Sequence, residues 1–140
     1  MKSEEELANE YPEIFEYWHE WELDGPPPQI SVYGFQHNSG WNGIIESLCE
    51  QLERIDCIVR VTQSKEKLGG LRFYHNGVQS DDECDAYRAM GAIQQAEEMS
   101  FYICENCGNS AELRQKGWFR TLCEECWTEE KARRRDLRKS

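Results

Sequence analysis

The residues best equipped for chemistry in this sequence are four cysteines toward its C-terminal end. Cys104-Glu-Asn-Cys107 is followed, after fifteen residues, by Cys123-Glu-Glu-Cys126. Two Cys-x2-Cys pairs at this separation form a zinc-binding pattern. A gap of two residues lets both sulfurs of a tight turn reach one ion at about 2.3 Å, and Gly108 relaxes that turn. The second pair precedes a helix-forming run from Trp127 to Lys139, so its thiolates sit where unpaired helix amides favour negative charge. Four cysteines close the shell, whereas a catalytic ion keeps a position open. The pattern predicts one structural Zn2+ held by Cys104, Cys107, Cys123 and Cys126. A knuckle, a hairpin through Leu113 to Leu122 and a helix carrying the second pair make a treble-clef-like finger.

Two enzyme classes built on similar fingers fail against the sequence. A ββα-metal nuclease needs histidines on its hairpin and helix, and residues 108–140 contain none. A zinc deaminase needs a His-x-Glu and a Pro-Cys-x-x-Cys, but Ile103 and Leu122 precede the two pairs. His19, His37 and His75 lie in separate segments and read as surface or hydrogen-bonded residues. Cys49 and Cys57 fall among apolar positions and read as core thiols. Cys84 sits in the run Asp81-Asp82-Glu83-Cys84-Asp85, whose carboxylates oppose thiolate formation. No catalytic residue is assigned, and the chain is not expected to be an enzyme.

The elements that must position the cysteines follow from periodicity. Residues 3–24 read as a helix in two pieces. Pro12 opens the second piece, and Tyr11, Phe15 and Trp18, extended by Trp21, form an aromatic stripe that reads as a core face, with an acidic-aromatic docking face as the alternative. Gly25-Pro26-Pro27-Pro28 ends it, and residues 30–35 read as a short strand. Asn38 or Ser39 is placed to cap a helix over 41–54 with Trp41, Ile44, Ile45, Leu48 and Leu52 on its apolar face. Residues 57–63 alternate as a strand, a turn over 65–70 leads into a second strand from Leu71 to His75, and Asn76-Gly77 reads as a further turn. A long helix from about Asp82 to Tyr102 is expected, with Tyr87, Met90, Ile93, Ala96 (or Glu97) and Met99 on one side. The fold class is therefore α+β, a small mixed domain with a β-hairpin and helices. Its predicted organisation is an α+β domain over 1–100, a zinc finger over 101–128 packed on it, and a basic helical tail over 129–140.

Charge is distributed unevenly. The 140 residues carry a net charge of −11, with 39% hydrophobic and 31% charged residues. Residues 1–30 hold nine acids and one base, residues 81–112 eight acids and one base, and residues 113–140 nine bases and five acids. Glu13, Glu16, Glu20 and Glu22 belong to the first block, and Asp81, Asp82, Glu83 and Asp85 to the second. Such blocks suit a basic partner or imitate a polyanion. Nucleic acid is the alternative partner, met through Arg114, Lys116, Arg120, Arg133, Arg134 and Arg135, because phosphate contacts require cations. No apolar run approaches the ~18 residues of a membrane span, so no membrane partner is expected. Met-Lys-Ser-Glu-Glu-Glu at the start carries no apolar stretch of a secretory signal, which points to a reducing cytoplasm, where clustered cysteines bind metal.

Several segments recur together in a family of short proteins encoded by tailed bacteriophages and prophages. They are Glu10-Tyr11-Pro12, Gly34-Phe35, Gly40-Trp41, Lys65-Glu66-Lys67-Leu68-Gly69-Gly70-Leu71-Arg72-Phe73-Tyr74, Met99-Ser100, Leu113-Arg114 and Gly117-Trp118. The chain resembles that family over most of residues 10–127. It departs from it at the last ligand, Cys126 where Cys-x-x-His is frequent, and in the basic helix beyond. The resemblance implies no activity. It implies a context, the cytoplasm of an infected bacterium, and an accessory role. The expectation is a non-enzymatic acidic protein that binds a basic host protein, with inhibition of a defence or nucleic-acid enzyme as its sharper form. A zinc-finger nucleic-acid binder is the alternative.

Overall fold

A computed structural model describes residues 1–21 and 24–139. Helix α1 (Glu4–Glu10) begins with a capping box in which Ser3 and Glu6 satisfy each other's backbone amides. Its Leu7, together with Tyr11 and Phe15 beyond it, enters the core. Helix α2 spans Glu16–His19, and Trp18 packs partly buried against the same core. The aromatic stripe is thus a packing face through Trp18.

The expected strand at 30–35 is instead a short helix, α3 (Gln29–Tyr33), followed by a two-residue strand β1 (Phe35–Gln36). The β-branched residues point to a strand, but only Ile30 has a core to enter, and Val32 and Tyr33 are left exposed. A single helical turn buries one residue and frees its neighbours. Gly34, at φ 64°, reverses the chain out of it. Glu4 fixes this corner: Phe35 N–H donates to its Oε1 at 2.6 Å and Trp18 Nε1–H to its Oε2 at 2.9 Å.

A 3₁₀ turn at Ser39–Trp41 leads into α4 (Asn42–Glu53). Neither Asn38 nor Ser39 caps α4 as expected; the Asn38 side chain is drawn away to Asn106 Oδ1, 2.6 Å distant. The predicted apolar face of α4 is fully in the core. Strands β2 (Ile58–Lys67) and β3 (Gly70–Gln79) form an antiparallel hairpin longer than expected. Its turn is only Leu68 and Gly69, both at positive φ, as a two-residue loop that follows strand twist requires. Asn76-Gly77 is not a turn. It lies inside β3, where Val59 faces Val78 and Val61 faces His75, so a bulge absorbs the extra residue. Strand β1 adds to the far side of β2 in parallel, giving the order β1-β2-β3.

Helix α5 (Glu83–Met99) is capped by Asp82 and continues as a 3₁₀ turn over Ser100–Tyr102. Its buried face coincides with the expected side only at Ile93 and Ala96. Tyr87, Met90 and Met99 are exposed, while Ala89, Ala92, Ile93 and Ala96 pack inward. The cause is the sheet edge. Leu71 N–H donates to Ser100 Oγ and Phe73 N–H to Glu97 Oε2, each at 2.8 Å, so α5 must present those acceptors to the outer edge of β3. The alanines then permit the close approach. The edge is blunted against pairing with another chain.

The chain ends in strands β4 (Glu112–Arg114) and β5 (Arg120–Leu122), paired antiparallel, and helix α6 (Glu124–Lys139). The architecture is the expected α+β, with hairpin and helix around a cysteine cluster. No helix among the described residues is long and apolar enough to cross a membrane.

Candidate metal centre

The first cysteine pair lies in a turn held by its own backbone. Gly108 N–H donates to Cys104 O at 2.9 Å, Cys104 N–H to Asn109 O at 2.7 Å, and Gly108 adopts φ 83°. The second pair starts α6: Trp127 N–H donates to Cys123 O at 2.9 Å, and Cys126 N–H to Cys123 Sγ at 3.4 Å. Hairpin β4–β5 brings the two pairs together. All four sulfurs lie within 4.8 Å of one another, and those of Cys107 and Cys123 are 3.6 Å apart. A tetrahedron with metal–sulfur bonds of about 2.3 Å has edges of about 3.8 Å. The four thiols are free of disulfides and together can hold one metal ion.

Electrostatics favour a dication at the centre. Burial pushes the Cys104 thiol up, but the backbone N–H groups of Cys123, Cys107 and Asn106 outweigh it and hold the group at about 7. Burial and the neighbouring Cys123, Cys104 and Cys107 sulfurs push the Cys126 thiol well above its ordinary value. Without an ion, neighbouring thiolates repel; an ion of charge +2 converts that repulsion into ligation.

A buried polar network seats the cluster on the main domain. Gly40 N–H donates to Glu105 O at 2.7 Å, Trp41 Nε1–H to Ile103 O at 2.8 Å and Asn38 N–H to Glu105 Oε2 at 3.0 Å. Thr121 Oγ1–H donates to Gly69 O at 2.6 Å. Glu105 and Glu130 are both buried and both pair with Arg120, at 3.3 and 3.5 Å. Burial raises the Glu105 carboxyl above its ordinary range against the pull of Asn38 N–H and Arg120. Sequence reasoning assigned neither glutamate a role. For Glu105 the available signal was its place between two ligands, where the chain is tightly held; Glu130, beyond Cys126, carried none.

His37 illustrates a second buried polar contact. Its ring stacks on Phe35 at 5.0 Å, with Nδ1 3.0 Å from Asn38 O and Nε2 2.8 Å from Ser64 Oγ. A carbonyl only accepts, so Nδ1 carries the proton and Nε2 accepts from Ser64. Ser64 is fully buried, beyond the reach of a substrate. Burial lowers the His37 pKa below 6.5. The unfolded chain therefore takes up the proton first on acidification, and the contribution present above about pH 6.5 is lost as pH falls toward the folded value. Melting temperature is expected to drop from neutral pH to about pH 5.5, and more shallowly in His37→Gln; equal slopes would exclude the His37 contribution.

The acidic residues fall in two groups. Glu13, Glu20, Asp81 and Glu83 are exposed. Glu16 pairs with Arg60 at 2.6 Å, Asp85 with Arg88 at 3.1 Å, and Asp82 is engaged as the cap of α5. Glu22 lies outside the described residues. The two blocks nevertheless approach one place: Ser80, next to Asp81, donates its hydroxyl to Asp56 O at 2.6 Å, and burial, then the carboxylates of Asp85, Asp56 and Glu13, push the Cys57 thiol up. A groove of about 340 Å³ opens beside it, lined by Glu13, Glu53, Cys57 and Ile58 among others.

The basic residues are less available than their count implies. Arg114 donates to Leu122 O at 3.1 Å and pairs with Glu112 and Glu124. Arg120 is held by Glu105 and Glu130. Arg133 and Arg134 reach Glu130 at 2.6 and 3.3 Å, and Arg134 also lies over the Trp127 ring. Lys116 and Arg135 are exposed and form no ion pair among the described residues. No family model matches this chain, and neither the curated proteins nor the solved structures include one similar to it.

Proposed function

We propose that the cysteine cluster binds one structural zinc ion. The chain then acts as a non-enzymatic accessory protein of the bacteriophage type, binding a host protein with a basic surface in the bacterial cytoplasm. Inhibition of a defence or nucleic-acid enzyme is the sharpest form of this reading. The observation that supports it is geometric: Glu13 of the first block lines the groove at Cys57, and Ser80, which leads into Asp81 of the second, donates its hydroxyl to Asp56 O at 2.6 Å. A field from both blocks at one end of the sheet steers a basic partner. The same interaction weakens with salt, since screening shortens to roughly 8 Å at physiological ionic strength.

The test compares proteins captured from bacterial lysate by the wild type and by Glu13→Gln/Glu20→Gln/Asp81→Asn/Glu83→Gln. These four carboxylates are exposed, so the fold tolerates their loss. Capture of a basic protein is expected in the wild type, with association slowed about tenfold or more in the variant. Identical capture by both would refute the acidic-surface reading.

A further inference from the structure

We propose that the groove between the tip of the β4–β5 hairpin and α6 binds a single-stranded nucleic acid, stacking a base on Trp118 and taking phosphates on Arg133 and Arg138. This site is independent of the acidic end and of the host protein proposed for it.

The groove measures about 480 Å³, and Trp118, Glu130, Arg133, Arg134, Leu137 and Arg138 are among the residues that line it. Trp118 is 75% exposed and Leu137 68%. A tryptophan costs solubility at a hairpin tip, and Trp118 belongs to neither hydrophobic cluster of the described residues. Gly117, at φ 74°, turns the chain so that the indole stands out beside α6. An exposed ring next to guanidinium groups is a stacking platform, because every base offers a π-face and every nucleotide an anion.

Charge selects the same ligand. Arg120, Arg133 and Arg134 converge on Glu130, and only Arg120 has a second carboxylate, that of Glu105. Three guanidinium groups thus share two carboxylates, and Arg138 adds a further cation at the groove. Arg133 and Arg138 lie five residues apart on α6, about 7.5 Å along the axis, comparable with the step between phosphates of an extended strand. An acidic peptide satisfies the cations but has no use for the indole. A duplex keeps its base faces stacked inside, out of reach of Trp118. The net charge of −11 does not oppose this locally, since exposed charges beyond a Debye length of roughly 8 Å are screened.

The experiment is fluorescence anisotropy of the full zinc-loaded chain with a labelled oligothymidine, a duplex of equal length and an oligoglutamate competitor. Oligothymidine is expected to bind at low salt, more tightly than the duplex, with affinity falling linearly in log salt. Trp118→Ala is expected to weaken it about tenfold or more, with Trp118→Phe recovering most of the loss. Arg133→Glu/Arg138→Glu is expected to abolish it. Zinc content and melting temperature show that each variant is folded; Trp118 is exposed, and the arginine pair tests the site separately. Absence of binding, equal affinity in Trp118→Ala, a preference for duplex, or displacement by oligoglutamate would each overturn the proposal. Loss of host-protein capture with oligothymidine binding intact would refute only the acidic-surface reading.

Discussion

Removing the metal is expected to unfold residues 101–128 and to release them from residues 38–41. The reason is the size of the core beneath the cluster. Its buried apolar members among the described residues are Cys104, Leu122 and Trp127, too few to order some thirty residues against chain entropy of about 1–2 kcal/mol per residue. A structural zinc site contributes about 10–16 kcal/mol in small fingers, as much as the whole stability of an ordinary domain. Because the ligands bind as thiolates, metal affinity falls with pH and acid mimics the chelator. Cys104→Ser is expected to lose the ion and amide protection across β4, β5 and the start of α6. Cys49→Ala, in the main core, is expected to keep the ion while losing stability. Elemental analysis paired with hydrogen exchange measures both. A chain purified without chelator that contains no metal, or protection that survives metal removal, would sink the assignment.

Gly40→Ala is expected to be strongly destabilising although it adds a single methyl group. A Cβ at Gly40 would stand 2.3 Å from both Cys104 O and Glu105 O and 2.4 Å from Glu105 C. These are backbone atoms of the metal knuckle and cannot rotate aside. The same residue donates its N–H to Glu105 O, so a shift that relieves the clash also breaks the bond. A loss of about 3 kcal/mol follows from overpacking combined with an unsatisfied buried carbonyl. Gly91→Ala is the control: it lies in α5, open space surrounds its would-be Cβ, and helix propensity predicts a gain of about 1 kcal/mol. Chemical denaturation of the three proteins reads the difference. A Gly40→Ala midpoint equal to wild type would show that the knuckle and residues 38–41 are not rigidly joined.

The metal cluster was legible because its signal is local and chemical: two spacings and a closed set of donors define it before any packing is known. The apolar face of α4 was legible for the related reason that Trp41, Ile44, Ile45, Leu48 and Leu52 repeat at helical spacing. The aromatics Tyr11 and Phe15 were equally clear. Other features depended on distant partners. Residues 29–33 carry strand propensity but coil into a helix, because the neighbouring sheet edge pairs with only Phe35 and Gln36. Helix α5 turns its alanines inward, not its methionines, because Glu97 and Ser100 must reach the outer amides of β3. Arginines that counted as a phosphate-binding surface are partly consumed by Glu105 and Glu130, residues distant in sequence from some of them and joined only by the fold. Periodicity and donor spacing are properties of a segment and can be read from it. Unpaired amides, buried carboxylates and the space left for a side chain belong to the surfaces that segments bring to one another, and only the tertiary structure decides them.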